Sequence, residues 1–557
     1  MKLRDYQVET LENICKAETR GVKKQLAVLA TGLGKTVIFC SIGKVRSQSY
    51  PMLIIAHREE LLDQATDKIR QINPELTVSK EQAKEYGSLE TDVVVASVQT
   101  LGTARGRKRL ETFPPDHFKV IVVDEAHHAA ANTYKSILEY FTPDLLLGVT
   151  ATPQRTDKVG LSAAFDEVVA YYPIDYGIDN KYLSPLRGHR IKTNADISDV
   201  SVSNGDYGVA ELAAAIDTKD RNNLVATSYL KFLKDQPTIV FAVNVEHAHN
   251  LVEVFKQFDI NTAAIDAKTK REDRSEIYTK FRAGEIKVLI NVGVLTEGFD
   301  EPSVSGIILA RPTKSPLTYT QMVGRGTRLY EGKDFCLIID LADATKNKVP
   351  YGLPSTLGLP PDFDLDGADL SEVAQKFFEL EDKSPSEAAA VRSIKDIELA
   401  WERIDLMRPP PTPEIVLEHS KFIWSQVGES YIISPVSGTQ IQIAPHLLGW
   451  EWKEKSSKAS SGGVTETLVG AFNQADKYII DNFPNECTLL SIESHWRGDP
   501  PTEKQIKFLR NKGIPVTTDL GKGEASQLIQ RWIDEHPRSA LQEAIIKRNQ
   551  RKKQNKW

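Results

Sequence analysis

The sequence predicts an α/β protein with two tandem parallel-sheet domains, followed by a helical linker, a small β-rich domain and a C-terminal helical module. Three observations carry this prediction. Two successive sets of short, β-branched runs alternate with longer amphipathic stretches, as expected for parallel strands buried on both faces. A polar interval separates the two sets. Beyond Leu341 the sequence becomes rich in Pro, Gly and Asp, and then alternates between polar and apolar residues.

The predicted strands divide the chain into segments. The first set is "QLAVLAT", "PMLIIAH", "DVVVASV", "VIVVDE" and "LLLGVTAT", and the second is "TIVFAV", "TAAID", "VLINV", "GIILA" and "FCLIID". The predicted segments are α/β domains at 1–190 and 221–345, an interdomain linker at 191–220, an acidic, Pro-rich linker with helices at 346–415, an accessory α+β domain at 416–498, a helical module at 499–546 and a basic tail at 547–557.

Composition excludes several classes of protein. No apolar run approaches the roughly 18 residues of a membrane span, and "MKLRDYQVET" has no signal-peptide pattern. The four cysteines are far apart, which argues against a disulfide framework or a zinc module and favours a reducing, cytoplasmic location. The net charge is −6, but residues 499–557 hold 13 Lys/Arg against 7 Asp/Glu, or +6. Local positive charge of this kind is compatible with a nucleic-acid partner, or with a solvated tail.

The stretch "QLAVLATGLGKTVIFC" predicts a phosphate-binding loop between a strand and a helix. The usual pattern G-x-x-x-x-G-K-[ST] requires a glycine where this chain has Leu29. Every other part is present: the backbone of Thr31, Gly32, Leu33 and Gly34 can approach phosphates, and the next helix directs its positive end at them. Two further side chains then complete the prediction: Lys35 would neutralise the β- and γ-phosphates, and the hydroxyl of Thr36 would ligate Mg²⁺.

A second stretch, "VIVVDEAHHA", places two carboxylates after a predicted strand. Ligands of parallel sheets bind where strands end at their carboxyl edge. Asp124 could hold Mg²⁺, and Glu125 could orient and deprotonate an attacking water. Alone, such a pair is often a helix N-cap. Beside Lys35 and Thr36 it indicates nucleotide hydrolysis.

Together with "VIVVDEAHHA", eight motifs in chain order resemble those of superfamily 2 helicases and translocases of the DEAH-lettered kind, between Leu3 and Leu341. In chain order the motifs are "LRDYQ", "ATGLGKT", "AHREELLDQ", "ASVQT", "VTATPQR", "IVFAVNVEHAHNL", "VLTEGFD" and "QMVGRGTR". The resemblance implies two RecA-like domains, and "ATGLGKT" is a common form of the phosphate loop in this group. The spellings are nearer to RadD-like and XPB-like DNA helicases and restriction translocases than to DEAD-box RNA helicases. Unlike RadD, the chain has no cysteine cluster for zinc.

The same resemblance assigns residues to the ATP site. Gln7, with Arg4 as a weaker candidate, would contact the base, and Gly298 and Asp300 would approach the ribose and the arginine finger. In "QMVGRGTR", Arg325 and Arg328 are three residues apart and are predicted at a helix start, facing the same way. By resemblance Arg328 is the finger, Arg325 contacts the γ-phosphate and Gln321 positions them.

Nucleic-acid contacts are also implied by the resemblance. They are His57, Arg58, Gln99, Thr100 and Thr296, and the residues that would couple them to ATP are His127, Thr150 and Thr152. Contacts of this kind go mainly to phosphates, so movement along the strand would be largely independent of base sequence. The basic loop "TARGRKRLE", residues 103–111, is either a second nucleic-acid contact or a solvated loop.

The accessory segments carry two weaker hypotheses. Trp424, Tyr431, Trp450 and Trp452 could stack on bases or could form the core of a small sheet. Lys504, Lys507, Arg510 and Lys512 form a predicted basic helix face that could dock on a DNA backbone.

The sequence therefore predicts an ATP- and Mg²⁺-dependent DNA helicase or translocase in repair, recombination or phage–host conflict. Its partner would be single-stranded, duplex or branched DNA, with RNA less favoured and repair or replication proteins as further partners. Two alternatives stay open: a nucleic-acid-stimulated sensor or remodeller that does not unwind, and an RNA helicase.

Overall fold

The computed structural model describes most of the chain as two compact units. The described residues are 2–129, 131–151, 161, 164–203, 205–295, 300–345, 349–407, 414–427, 429–435, 439–455, 461–491 and 495–535. The first unit comprises Met1–Phe377 and Arg392–Ile394, and the second comprises Phe378–Val391 and Lys395–Trp557. Among the described helices, none is both long and apolar enough to cross a bilayer.

The first domain is a seven-stranded, fully parallel sheet with strand order β3-β4-β2-β5-β6-β1-β7. Its elements in chain order are α1 Asp5–Thr19, β1 Lys24–Leu29, α2 Lys35–Ser41, β2 Met52–Ala56, α3 Glu59–Ile72, β3 Val78–Glu81, β4 Val93–Ser97, α4 Val98–Leu101, α5 Arg107–Leu110, β5 Val120–Asp124, α6 Asn132–Tyr140, β6 Leu145–Thr150, β7 Glu167–Tyr172 and α7 Ile174–Asp179.

The second domain is a six-stranded parallel sheet with strand order β12-β13-β11-β14-β15-β8. Its elements are β8 Leu186–Asp196, the short hairpin β9 Val202–Ser203 and β10 Asp206–Tyr207, α8 Val209–Ile216, α9 Lys219–Phe232, β11 Thr238–Phe241, α10 Val245–Gln257, β12 Thr262–Ile265, α11 Arg271–Arg282, β13 Val288–Asn291, β14 Gly306–Leu309, α12 Pro316–Val323 and β15 Cys336–Ala344. The predicted fold class is thereby confirmed.

The central strands are continuous apolar runs because helices cover both faces of each sheet. Every residue of β2, β4, β5, β11, β13 and β14 is buried. Burying each Val, Leu or Ile contributes on the order of 1.5–3 kcal/mol. Two such cores fix the carboxyl edge of each sheet, where the candidate site lies.

The segment predicted as an interdomain linker, residues 191–220, contains regular structure instead. Strand β8 runs to Asp196 and pairs with β15 at the edge of the second sheet. Its C-terminal half, residues 192–196, alternates exposed and partly buried residues, because an edge strand has one solvated face. Because of that alternation, the sequence "KTNAD" resembles a polar linker although it forms part of a strand. Thr193 Oγ1 of the same segment donates to Asp343 of β15 at 2.5 Å.

The range predicted as one linker, residues 346–415, is shared between the two units. Residues 349–377 belong to the first unit, where Leu353, Phe363 and Leu365 are buried. Three helices follow: α13 Leu370–Lys383, which spans the division between the units, then α14 Pro385–Ala388 and α15 Ile394–Met407.

The second unit also holds a five-stranded antiparallel sheet and a C-terminal helix pair. Its further elements are α16 Glu414–His419, β16 Ser425–Val427, β17 Ser430–Ile433, β18 Gln440–His446, β19 Gly449–Lys455, β20 Gly462–Thr465, α17 Leu468–Asn482, α18 Cys487–Leu490, α19 Glu503–Asn511 and α20 Lys522–Glu535. The basic tail, residues 547–557, lies outside the described residues.

The aromatic residues of this sheet form its core. Trp424 is 1% exposed and donates from Nε1 to Asp476 at 3.2 Å, while Tyr431 and Trp452 pack in the same cluster and Trp450 packs against it. Trp424, Tyr431 and Trp452 therefore form a structural core, which is one of the two roles considered from the sequence. Because the three side chains are buried, they cannot stack on bases in this conformation.

Candidate active site

The phosphate loop, residues 31–34, connects β1 to α2 at the carboxyl edge of the first sheet. Gly32 and Gly34 have φ of 92° and 77°, in the left-handed region that glycine adopts at no steric cost. Among the residues that the structure describes, no side chain caps the first turn of α2, so the helix start is available to an anion. Leu29, which replaces the usual glycine, is the last residue of β1 and is fully buried. A side chain is tolerated there because it points into the core.

Side chains at the start of α1 donate hydrogen bonds to the phosphate loop. The carbonyl of Leu33 accepts hydrogen bonds from Tyr6 Oη at 2.7 Å and from Gln7 Nε2 at 3.2 Å. Gln7 Oε1 accepts from the backbone N–H of Arg4 at 3.0 Å, and the Arg4 guanidinium lies 5.2 Å from the ring centre of Tyr182. Gln7 thus contacts the loop itself. Tyr6 was missed by the sequence analysis, although it lies within "LRDYQ".

The two carboxylates lie at the end of β5, facing the same loop. Asp124 and Glu125 are each 6% exposed, and Asp124 Oδ1 accepts from the N–H of Glu125 at 2.9 Å. Glu125 has φ of 49°, an unusual conformation for a side chain-bearing residue, which directs its carboxylate toward Lys35. Lys35 Nζ lies 3.6 Å from Glu125 Oε1, and His127 Nδ1 lies 3.4 Å from Glu125 Oε2. The predicted lysine and glutamate therefore meet.

Donor chemistry at this edge suits Mg²⁺. Thr36 offers a hydroxyl in the first turn of α2, and Asp124 offers a carboxylate at the end of β5. Glu125 Oε2 is buried and accepts no hydrogen bond within the described part of the chain. Magnesium prefers hard oxygen ligands of this kind, so the residues fit the ion.

A row of histidines connects this site to the ends of two neighbouring strands. Gln99 Nε2, which follows β4, donates to the carbonyl of His57, which follows β2, at 2.6 Å. The ring of His57 packs on His128 at 4.6 Å, and His128 packs on His127 at 4.2 Å between ring centres. Thr150 Oγ1, at the end of β6, lies 3.2 Å from His127 Nδ1. Because parallel strands end at one edge, these distant residues are in contact.

The second domain contributes the arginine loop, residues 324–328, which packs directly on the phosphate loop. A Cβ added to Gly324 would lie 2.5 Å from Thr31 Cβ, and one added to Gly32 would lie 3.1 Å from Thr327 Oγ1. Thr327 is fully buried, and its hydroxyl donates to the carbonyl of Thr31 at 3.3 Å. The two domains thus meet around the predicted ATP site.

The two arginines lie beyond the end of a helix, not at a helix start as predicted. Helix α12 ends at Val323 and is followed by the loop that contains Gly324 and Gly326. Arg325 is buried and donates from Nε to the carbonyl of Gln321 at 3.3 Å. Arg328 pairs through Nε with Asp300, and its Nη1 is buried without a hydrogen-bond partner among the described residues.

The pKa of Arg328, the predicted arginine finger, depends on its position between the two domains. Burial lowers the pKa of Arg328, and the Asp300 carboxylate opposes that shift. The side chain stays charged because an arginine pKa begins far above neutrality. Gly298, predicted near the ribose, lies outside the described residues, as do Thr152 and Thr296.

Among the predicted nucleic-acid contacts, Arg58 bridges the two domains. Its Nη1 donates to the carbonyl of Gly293 at 2.8 Å. The cleft at this edge is lined by Arg58, Glu59, Asp63, Ala267, Thr269, Arg271, Arg274, Ser275, Tyr278, Gly293 and Val294. Asp63 pairs with Lys80 of its own domain and, across the cleft, with Arg271 at 3.2 Å. Gln99 is exposed and Thr100 is partly buried beside this edge.

The basic loop at residues 103–111 is only partly available to a ligand. Arg107 pairs with Glu111 at 2.7 Å, and Arg109 pairs with Glu81 while its guanidinium lies 4.2 Å from the ring centre of Tyr86. Arg105 and Lys108 are exposed. Two of the four cations therefore have structural roles.

Three family models match separate parts of the chain. "Type III restriction enzyme, res subunit" matches residues 1–155, "Helicase conserved C-terminal domain" matches residues 220–330, and "Mitochondrial helicase Irc3, C-terminal domain" matches residues 402–556.

Individual relatives agree with these models. The chain is 38% identical over 392 residues to "Putative ATP-dependent helicase IRC3" of Saccharomyces cerevisiae, covering 67% of this chain and 56% of that protein. It is 29% identical over 558 residues to "Putative mitochondrial ATP-dependent helicase irc3" of Schizosaccharomyces pombe, covering 96% and 90%. It is 25% identical over 397 residues to "DNA 3'-5' translocase XPB2" of Sulfurisphaera tokodaii, covering 63% and 84%. The chain thus spans little more than half of the budding yeast relative.

These matches support the prediction that the chain is a superfamily 2 helicase and the prediction that it hydrolyses ATP. The helicase models fall on the two parallel-sheet domains that form the candidate site. The finer RadD-like assignment stays a prediction.

Proposed function

We propose that this protein couples ATP hydrolysis to movement on DNA, as a translocase or helicase. The observation that carries the proposal is the packing of the arginine loop on the phosphate loop, through Thr327 Oγ1 and the carbonyl of Thr31. Because the proposed ATP site is built from both domains, ATP hydrolysis should change how the two domains pack against each other. A nucleic acid bound to both would then be displaced in each cycle.

The chemistry follows from the side chains at this interface. The N–H groups of the phosphate loop and Lys35 would hold the phosphates, and Glu125 would orient and deprotonate the attacking water. Lys35 Nζ lies 3.6 Å from Glu125 Oε1, so the lysine would lie between this carboxylate and the phosphates. Arg328 would exchange Asp300 for the γ-phosphate and stabilise the charge that develops there. A bound Mg²⁺, held by Thr36 and Asp124, would neutralise phosphate charge.

Communication with nucleic acid would run through the histidine row. Gln99 and His57 lie at the strand ends where a nucleic-acid backbone is proposed to bind, and His127 contacts Glu125. A ligand that moves Gln99 would therefore act on the general base through packed rings.

DNA is the proposed substrate because the XPB2 relative is named a DNA translocase and two type I restriction subunits are also similar, one of them at 24% identity over 387 residues. The C-terminal module is proposed to add backbone contacts. Lys504, Lys507 and Arg510 are exposed along α19, while its other face packs on α20 through Leu509. Pathway and compartment also belong to the proposal: DNA maintenance fits the chemistry, and the fission yeast relative is named mitochondrial.

The decisive experiment titrates ATPase activity with single-stranded DNA, duplex DNA, forked DNA and RNA at several salt concentrations. DNA should stimulate turnover more than RNA, with an affinity that falls as salt rises. A parallel displacement assay on forked DNA separates the alternatives. Stimulation without displacement or directional movement would instead identify a sensor or remodeller. Stronger stimulation by RNA would identify an RNA helicase.

A further inference from the structure

Lys333 lies behind the arginine loop and donates to its main chain. Its Nζ is 2.6 Å from the carbonyl of Gly326 and 2.9 Å from the carbonyl of Arg328. A third carbonyl, that of Pro302, lies 3.5 Å away. An ammonium group has three N–H donors, so one side chain can bond to all three carbonyls. Two of these belong to the loop that carries the predicted arginine finger.

The carbonyls that Lys333 binds have no helix to satisfy them. Helix α12 ends at Val323, so the carbonyls that follow lie outside its hydrogen-bond ladder. On its other side the loop is in tight contact with β15, since a Cβ on Gly326 would collide with Cys336 Sγ. The loop is thus held between β15 and Lys333. Its third contact is the phosphate loop of the first domain.

The position of this lysine is electrostatically costly. Burial lowers the pKa of Lys333; Cys336 opposes that shift and the positive charge of Arg328 adds to it. A cation placed beside another cation does not by itself stabilise the fold. The three carbonyl dipoles offset that cost, and they do so only while the loop keeps its present conformation.

We propose that Lys333 is a positioning residue for ATP hydrolysis, which fixes the main chain at Arg328 so that the guanidinium can reach the γ-phosphate. This inference rests on the proposed role of Arg328 as the finger. Lys333 touches no reacting atom, because its donors are directed at the backbone. Its loss should therefore impair the chemical step and leave ATP binding, which the first domain provides, nearly intact.

The first test compares three variants with the parent under saturating DNA. Lys333→Met keeps the approximate length of the side chain and removes its N–H donors. Lys333→Arg restores a cation with at least two N–H donors. Lys256→Met is the matched control, because that lysine lies in the same domain and its exposed ammonium pairs with Glu253 at 2.7 Å. Lys333→Met should lower kcat about 10- to 100-fold with KM for ATP changed less than about threefold. Lys333→Arg should recover most of kcat, and Lys256→Met should match the parent.

A double variant shows whether Lys333 acts through the finger. Lys333→Met combined with Arg328→Ala should be no slower than Arg328→Ala alone. Independent, multiplicative losses would overturn the inference, and so would an unchanged kcat in Lys333→Met while Arg328→Ala is inactive. Full activity in Arg328→Ala would instead refute the finger assignment of the proposed function. If Lys333→Met unfolds at the assay temperature, Lys333→Gln undergoes the same comparisons and decides between the same outcomes.

Discussion

The two domains contain similar strand–loop–helix connections that behave differently toward an anion. In the first domain, β1 passes through the phosphate loop into α2, and no side chain of the described residues caps the first turn of that helix. In the second, β11 passes through Ala242 and Val243 into α10, whose N-cap Asn244 accepts from the N–H of His247 at 2.8 Å. His247 is fully buried beneath that turn.

This contrast shows that the parallel sheet does not by itself create a phosphate site. A helix start attracts an anion when its N–H groups are left for a ligand, and it loses that capacity when a side chain of the protein occupies them. In the first domain glycines keep the loop open. In the second, Asn244 and His247 fill the equivalent space, and the domain contributes its arginine loop instead.

The largest expected effect comes from removing the cation of the open loop. Lys35→Ala should reduce ATPase activity by about 100-fold or more, because Lys35 would neutralise phosphate charge in the transition state. Steady-state ATP hydrolysis measures it. Lys24→Ala, which changes an exposed lysine at the start of β1, should be as active as the parent. Comparable activity in Lys35→Ala would contradict the assignment of the site to the first domain.

A smaller loss is expected when the contact between the domains is disturbed. Gly324 has φ of −59°, which alanine adopts without strain, but the new Cβ would lie 2.5 Å from Thr31 Cβ. Gly324→Ala should therefore separate the arginine loop from the phosphate loop and lower kcat roughly 10-fold, with ATP still bound. Kinetics with a fluorescent-nucleotide binding assay test this.

Gly498→Ala is the control for this variant, since the added methyl group meets nothing within 4 Å. An unchanged kcat in Gly324→Ala would mean that the two loops need not touch during hydrolysis. A loss of ATP affinity of the same size as the loss of kcat would mean that the contact serves binding.

The closed connection of the second domain should make stability depend on pH. His247 Nδ1 accepts from the N–H of Val243 at 3.3 Å, so the ring is bound in its neutral form. Burial lowers the pKa of His247 to about 4; Asp217 opposes the shift and Arg221 adds to it. The unfolded chain, with a histidine pKa near 6.5, takes up the proton first as pH falls.

Stability should consequently be lost between about pH 6.5 and pH 4, by roughly 2 kcal/mol on going from pH 7 to pH 5. Urea unfolding of the parent and of His247→Gln at both pH values isolates this contribution from those of other groups. Identical pH dependence in the two proteins would show that His247 is not held neutral.

The smallest effect should come from the cap itself. Asn244→Ala removes the acceptor for the N–H of His247 and should destabilise the second domain by about 1 kcal/mol. ATPase activity at a temperature well below unfolding should not change, because this helix start binds no phosphate. Thermal unfolding and ATP hydrolysis of the same preparation provide both measurements. A fall in ATPase activity without a fall in stability would give this connection a functional role.

Local sequence was sufficient for much of the site. The strand–glycine–lysine order around Gly34 and the carboxylates of Asp124 and Glu125 were predicted because each pattern lies within about ten residues. The edge strand β8 was not, since its solvated face has the polarity of a loop. Tyr6 and Lys333 were not predicted for a different reason. Both side chains donate hydrogen bonds to backbone carbonyls, and no sequence pattern marks the carbonyl that accepts them.

By itself the sequence determined two parallel sheets, a phosphate loop and the order of the helicase motifs, because apolar periodicity and short glycine patterns are properties of neighbouring residues. Only the tertiary structure decided that Thr31 meets Thr327, that Lys35 meets Glu125 and that Trp424 is core. Those contacts arise when separate strands end at one edge and when apolar faces find partners. No window of sequence contains both sides of such a contact.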